Sequence, residues 1–202
     1  MDNIIDAARE IAARLKAAYL DSGRIHAETV IGAAAAIAGE WSLWATGLPV
    51  PESGWIVMPA AAALLLEGGG SARQLIAAAV ANAGGDAQRL PPAQVLVARA
   101  AAAQGGAYPP LTVDQSHYPN EWSPLAGPRF RADVKQICAA QGLDDSKQVF
   151  VATVMTVSLL ISATASVLDP TVAGTLALEV MVGVSRMSPA ENERSLTQQA
   201  TP

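Results

Sequence analysis

Between Lys147 and Asp169 the chain carries no charged residue, and the run VFVATVMTVSLLISATASVL is apolar on every side at the helical period. A helix with no polar face is buried, in a protein core or in lipid. The pattern predicts a central helix over about 145–168, with Asp144 as its N-cap and Asp145 in its first turn. Ser158, Ser162 and Ser166 recur every four residues, a stripe of small side chains on which another helix is expected to pack closely. Asp169-Pro170 then starts a second apolar helix reaching Met187, because aspartate caps well and proline suits the first helical position. The junction reads as about one residue long, which implies a corner between angled helices. Glu179 stands alone in this second helix among Leu176, Leu178, Val180 and Met181, so it needs a partner or water.

Residues 2–21 alternate apolar and charged positions at the helical period and form the clearest surface helix, ended by Ser22-Gly23. A second buried helix is expected over 25–45. It is uncharged between Glu28 and Glu40, and Gly32 and Gly39 mark places where a neighbouring backbone comes close. Residues 47–58 are a connector in which Trp55-Ile56-Val57 has the composition for a brief strand pairing. Three alanine-rich helices follow, over 59–67, 71–83 and 91–104, each ended by consecutive glycines. Their apolar positions do not align, so they are not repeats. Residues 107–128 form a long proline-rich loop, and a helix spans 129–141 with Phe130, Val134, Ile137 and Cys138 on one face. Residues 189–202 are polar and patternless and read as a flexible tail. The sum is an all-α single domain over 1–188: a bundle of seven to eight helices around the buried helix 145–168, with little or no sheet.

Composition sharpens this picture. Hydrophobic residues are 51% and charged residues 15% of the 202, against about 25% charged in typical soluble domains. So little charge implies that a surface is covered, and a homodimer through the alanine-rich helices between Pro59 and Gln104 is the expectation. The net charge of −5 offers no basic face for nucleic acid. A single cysteine excludes an intrachain disulfide and a multi-cysteine zinc site. The amphipathic start lacks a secretory pattern, which makes the cytoplasm the expected location. The run 149–168 is long enough to span lipid, but its serines and threonines and the following Glu179 argue for a soluble protein.

Chemistry-bearing residues concentrate in the loop: Asp114, His117, Tyr118, Asn120, Glu121 and Trp122, with Arg129 and Arg131 just beyond. His117 and Glu121 have the chemistry for proton transfer, Arg129 for holding an anion, and Tyr118 and Trp122 for stacking on a ligand. The plainer expectation is a strap covering the bundle. Glu40, Trp41 and Trp44 are candidates for a pocket beneath it, and Glu40 and Glu179 for raised pKa values. No spacing marks a metal, a cofactor or a nucleophile: His26 and Glu28 lack companion ligands, the triple glycine is not a phosphate loop, and Cys138 lies on an apolar face. The reading is a soluble protein acting by self-association or binding, without chemistry of its own. The first alternative is an enzyme or small-molecule binder with its site under 107–128. The second is a membrane protein spanning at 149–168.

Overall fold

The computed structural model describes residues 2–56, 58–102, 110–190 and 192–194. Among them the fold is an all-α bundle. Helix α1 (Asp2–Ala18) leads through a two-stranded hairpin, β1 (Leu20–Asp21) and β2 (Arg24–Ile25), into α2 (Ala27–Ala45). Three shorter helices follow, α3 (Pro59–Leu66), α4 (Ala72–Asn82) and α5 (Ala93–Ala102). The chain then crosses the bundle to α6 (Ala126–Ala140), α7 (Ser146–Thr164) and α8 (Pro170–Val184).

The first helix stops three residues earlier than its pattern suggests. Ser22 (φ 50°) and Gly23 (φ 79°) are both left-handed, the geometry that closes a two-residue hairpin turn. Leu20 pairs with Ile25 and Asp21 with Arg24. A second pairing joins Trp55 to Met187, and the Ile56 N–H donates to the Arg186 carbonyl at 2.7 Å. This ties the connector to the end of α8; Val57, the third residue of that expected strand, lies outside the described residues.

The fully enclosed helix is α2, not α7. Every residue of α2 except Glu28 and Trp44 is buried, because alanine and glycine let α7, α8, α6 and α1 approach from all sides. Gly39 is the tightest point: a Cβ there would collide with the backbone of Met181 in α8. Gly32 meets the Ser123 and Pro119 side chains of the crossing segment instead. Helix α7 packs on α2, α1 and α4 but keeps an outward stripe. It is long and apolar enough to cross a membrane, yet 61% of that window is buried inside the bundle.

Three expectations around α7 are corrected. Its N-cap is Asp145, whose carboxylate accepts from the Lys147 N–H at 2.9 Å. It ends at Thr164, so residues 165–169, not one residue, connect it to α8. The serine stripe does not mediate helix contact: Ser158 is buried, but Ser162 and Ser166 are exposed. Their environment makes the small side chains unnecessary for packing, and the Ser162 hydroxyl donates back to the Ser158 carbonyl at 3.2 Å. Ser162→Leu is therefore expected to change stability by no more than about 0.5 kcal/mol. A urea midpoint clearly below the wild-type value would place the stripe in a contact.

Ser71 and Asp169 cap α4 and α8 as their positions suggest. Residues 189, 190 and 192–194, expected to begin a flexible tail, are helical, with Asn192 fully buried; residue 191 and the rest of the expected tail, 195–202, lie outside the described residues. The hold comes from Arg131, whose guanidinium donates to the Pro189 carbonyl at 3.4 Å and pairs with Glu193 at 3.5 Å. The polar composition that suggested a tail is matched by a cation on α6.

Candidate functional site

The segment from Pro110 to Leu125 is a strap fastened to the bundle at several points. At its start the buried Glu179 carboxylate of α8 accepts from the Thr112 N–H at 2.7 Å and from its hydroxyl at 2.5 Å. Arg99 of α5 lies 3.7 Å from the same carboxylate and donates to the Pro110 carbonyl. These are the partners that the isolated charge in an apolar helix required.

The next attachment is at the start of α2. His117 Nδ1 lies 2.9 Å from Glu28 Oε1, and His26 Nε2 lies 3.5 Å from Glu28 Oε2. The two histidines of the chain thus meet one carboxylate. Burial works to raise the Glu28 pKa, but the His117 hydrogen bond, the residue's own N–H and the charges of both histidines hold it below the usual value. Beside it, the Asn120 N–H donates to Thr29 Oγ1 at 2.9 Å, and Thr29 Oγ1 lies 2.8 Å from His26 Nδ1. Asp114 caps a 3-10 turn over Gln115–His117, and its carboxylate pKa is lowered by hydrogen bonds from Ser116. Tyr118 donates to the Leu111 carbonyl at 2.8 Å, so its hydroxyl is used within the strap.

The third attachment is ionic. Arg129 of α6 pairs with Glu121 at 2.7 Å, and its guanidinium lies 5.9 Å from the Tyr19 ring. Burial raises the Tyr19 pKa well above the usual phenol value, and the hydrogen bond and charge of Glu121 add to this. The hydroxyl therefore stays protonated.

Between this end of the strap and the hairpin lies a cleft of about 810 Å³. Tyr19, Leu20 and Ile25 supply apolar lining, and Thr29, Asn120, Glu121 and Arg129 polar lining, with Asp21, Arg24 and His26 also reaching it. Leu20 and Ile25 are 55% and 40% exposed, large apolar side chains left open to water. A second cleft of about 470 Å³ lies along the strap, lined by Tyr118, Glu121, Trp122 and Val180 among others.

Not all the candidates come together. Glu121 and Arg129 line the first cleft and Tyr118, Glu121 and Trp122 the second, whereas His117, Glu40, Trp41 and Trp44 line neither. Twelve residues of helix separate Glu28 from Glu40, about 18 Å along the axis. Glu40 instead faces Arg131, with Nε at 2.9 Å and Nη2 at 3.3 Å. Gly127 of α6 leaves room for this carboxylate, which a Cβ would strike. Burial is the largest influence and raises the Glu40 pKa, although Arg131 acts the other way. Trp44 packs edge-on to Trp41 at 4.8 Å and carries the Arg131 guanidinium 5.3 Å from its ring. This is a structural cluster. The buried Trp41 Nε1 has no hydrogen-bond partner among the described residues.

Sequence spacing does not point to Tyr19, Arg24 or Thr29. Their side chains acquire a shared setting only when the hairpin folds back beside the strap, and nothing in local spacing signals that. Cys138 is buried, which pushes its thiol up to about 11, a poor state for a nucleophile. Among the described residues no cluster of three or more metal-ligating side chains has the arrangement to hold an ion. Comparison with known protein families, characterised proteins and solved structures finds no match for the chain.

Proposed function

We propose that the protein acts by binding, and that the cleft between the hairpin and the strap takes a small amphipathic anion. The observation that carries this reading is that one cleft combines apolar lining, Tyr19, Leu20 and Ile25, with polar groups that include Arg129. Ligand sites combine such apolar area with a few convergent polar groups that fix orientation. The sign of the ligand follows from the charges. Arg24, His26 and Arg129 are cations or able to become so, against Asp21 and Glu121, and Glu121 is already paired with Arg129. Arg24 is exposed and makes no ion pair among the described residues.

Phenylacetate, a ring with one carboxylate, is a suitable probe. Calorimetric titration is expected to show binding at millimolar concentration or tighter. Arg24→Ala, which leaves the Glu121–Arg129 pair intact, is expected to weaken it by about tenfold, the effect of losing one charged contact. Absence of binding, or equal binding by the variant, would oppose the reading.

Self-association is a second reading. The outward positions of α3 to α5 include Ala60, Ala78, Ala81, Val95, Ala98 and Ala101, all exposed. A surface this poor in charge supports a contact between two copies, tested by sedimentation at micromolar concentration. A species of 20.7 kDa alone would oppose it.

A further inference from the structure

Glu28, His26, His117, Thr29 and the Asn120 N–H form one polar relay joining the strap to the start of α2: hydrogen bonds link His117 to Glu28, His26 to Thr29 and Asn120 to Thr29, and His26 Nε2 stands 3.5 Å from Glu28. Its proton placement can be worked out from donors and acceptors. Thr29 Oγ1 accepts from the Asn120 N–H, leaving its own hydroxyl proton for His26 Nδ1. A neutral His26 then carries its proton on Nε2, toward Glu28, while His117 presents Nδ1–H to the other oxygen. The neutral relay is complete. Protonating His117 at Nε2 adds a charge opposite Glu28 without disturbing its Nδ1–H, whereas a proton on His26 Nδ1 would face the Thr29 hydroxyl proton. Glu28 is 12% exposed in its side chain and the two histidines about one-third, so solvent protons reach the imidazoles while the carboxylate stays sheltered. His26 also opens on the cleft lined by Asp21, Arg24, Glu121 and Arg129. His26 and His117 act on Glu28, and Asp114, at the start of the turn bearing His117, is the remaining carboxylate in reach of that imidazole.

We propose that this relay is a proton-operated clasp. When His117 is charged, it holds the strap tightly against α2 through Glu28; when it loses its proton, the same contact persists as a weaker neutral hydrogen bond and the strap slackens. Imidazole changes charge between about pH 5 and 8, and a charge-assisted hydrogen bond is roughly twice as strong as a neutral one. Because Asn120 and Glu121 belong to both the strap and the cleft wall, the clasp would set how firmly that wall stands. This consequence for a ligand rests on the binding reading above; the clasp itself does not.

Amide hydrogen exchange on the full chain, without ligand, tests it. The probe is the Asn120 N–H, with its rate at each pH divided by that of an unstructured chain. Its protection is expected to fall by about tenfold between pH 5.5 and pH 8, in line with the loss of a charge-assisted bond. In Glu28→Gln and in His117→Gln the fall should shrink to less than about twofold. His117 is partly exposed, so His117→Gln decides the matter should Glu28→Gln fail to fold. The Thr112 N–H, bound to Glu179 without a histidine, should show no such fall in any variant. Equal wild-type protection at both pH values, or a pH dependence that survives in His117→Gln, would overturn the clasp. Phenylacetate binding with a pH-independent Asn120 amide would defeat the clasp alone; a pH-dependent amide without phenylacetate binding would defeat the binding reading alone.

Discussion

Arg131→Met is expected to destabilise the protein by about 3–5 kcal/mol at neutral pH, because it leaves a buried carboxylate without its cation. Glu40 is 1% exposed, and both its oxygens face the guanidinium. The substitution also removes the contact with Trp44 and the hold on Pro189. Its effect must depend on pH. Burial already raises the Glu40 pKa above its ordinary 4.5, and loss of Arg131 raises it further. A carboxyl group with a folded pKa above its unfolded one costs stability only when ionised. The cost is therefore absent below the unfolded value and grows as pH rises through the folded one. Urea unfolding should show the variant closer to wild type in mild acid than at neutrality. Removing both partners, as Arg131→Met with Glu40→Met, should restore much of the loss, since an apolar pair of similar volume has no unmet charge. Equal destabilisation at all pH values would mean that lost packing, not the stranded charge, dominates.

Gly39→Ala is the second large effect. By helix propensity alone the change should stabilise by about 1 kcal/mol. Packing reverses the sign. The added methyl would run into the Met181 backbone, which cannot turn aside as a flexible side chain can. Overpacking of this kind costs about 1–3 kcal/mol, so a net loss is expected, with α2 and α8 forced apart. Thermal unfolding reads it directly: a midpoint at or above wild type would show that the two helices can separate freely.

The helical class and most elements follow from hydrophobic period and from local punctuation, and these hold where the signal is local. Ser71, Asp169 and Pro170 start helices as their chemistry suggests. The close approach at Gly39 also follows from local logic, because glycine inside a helix needs a neighbour to explain it. Which neighbour is a tertiary matter: α8 meets Gly39, and Pro119 and Ser123 meet Gly32. The serine stripe on α7 misleads for a related reason. A small residue permits close contact but does not require it, and only the arrangement of the other helices left Ser162 outside.

The site divides along the same line. The loop's concentration of His117, Glu121 and Trp122 is visible in composition, but the residues facing it come from α1, the hairpin and α2. Glu28 and His117 are 89 positions apart, and Glu179 and Thr112 are 67 apart. No periodicity connects them. Glu40 and Glu179 announce themselves as charges in apolar helices, yet their partners, Arg131 on one side and Thr112 with Arg99 on the other, are fixed only by helix packing. Trp41 and Trp44 share helical spacing with the core and belong to it.

The most direct test of the cleft as the binding site is amide chemical-shift mapping with phenylacetate. Shifts are expected at Tyr19–Thr29 and at Asn120, Glu121 and Arg129, the hairpin, strap and α6 residues around one cavity. Shifts centred on Glu40, Trp41 and Trp44, or spread over the outer faces of α3 to α5 with the cleft unchanged, would contradict it.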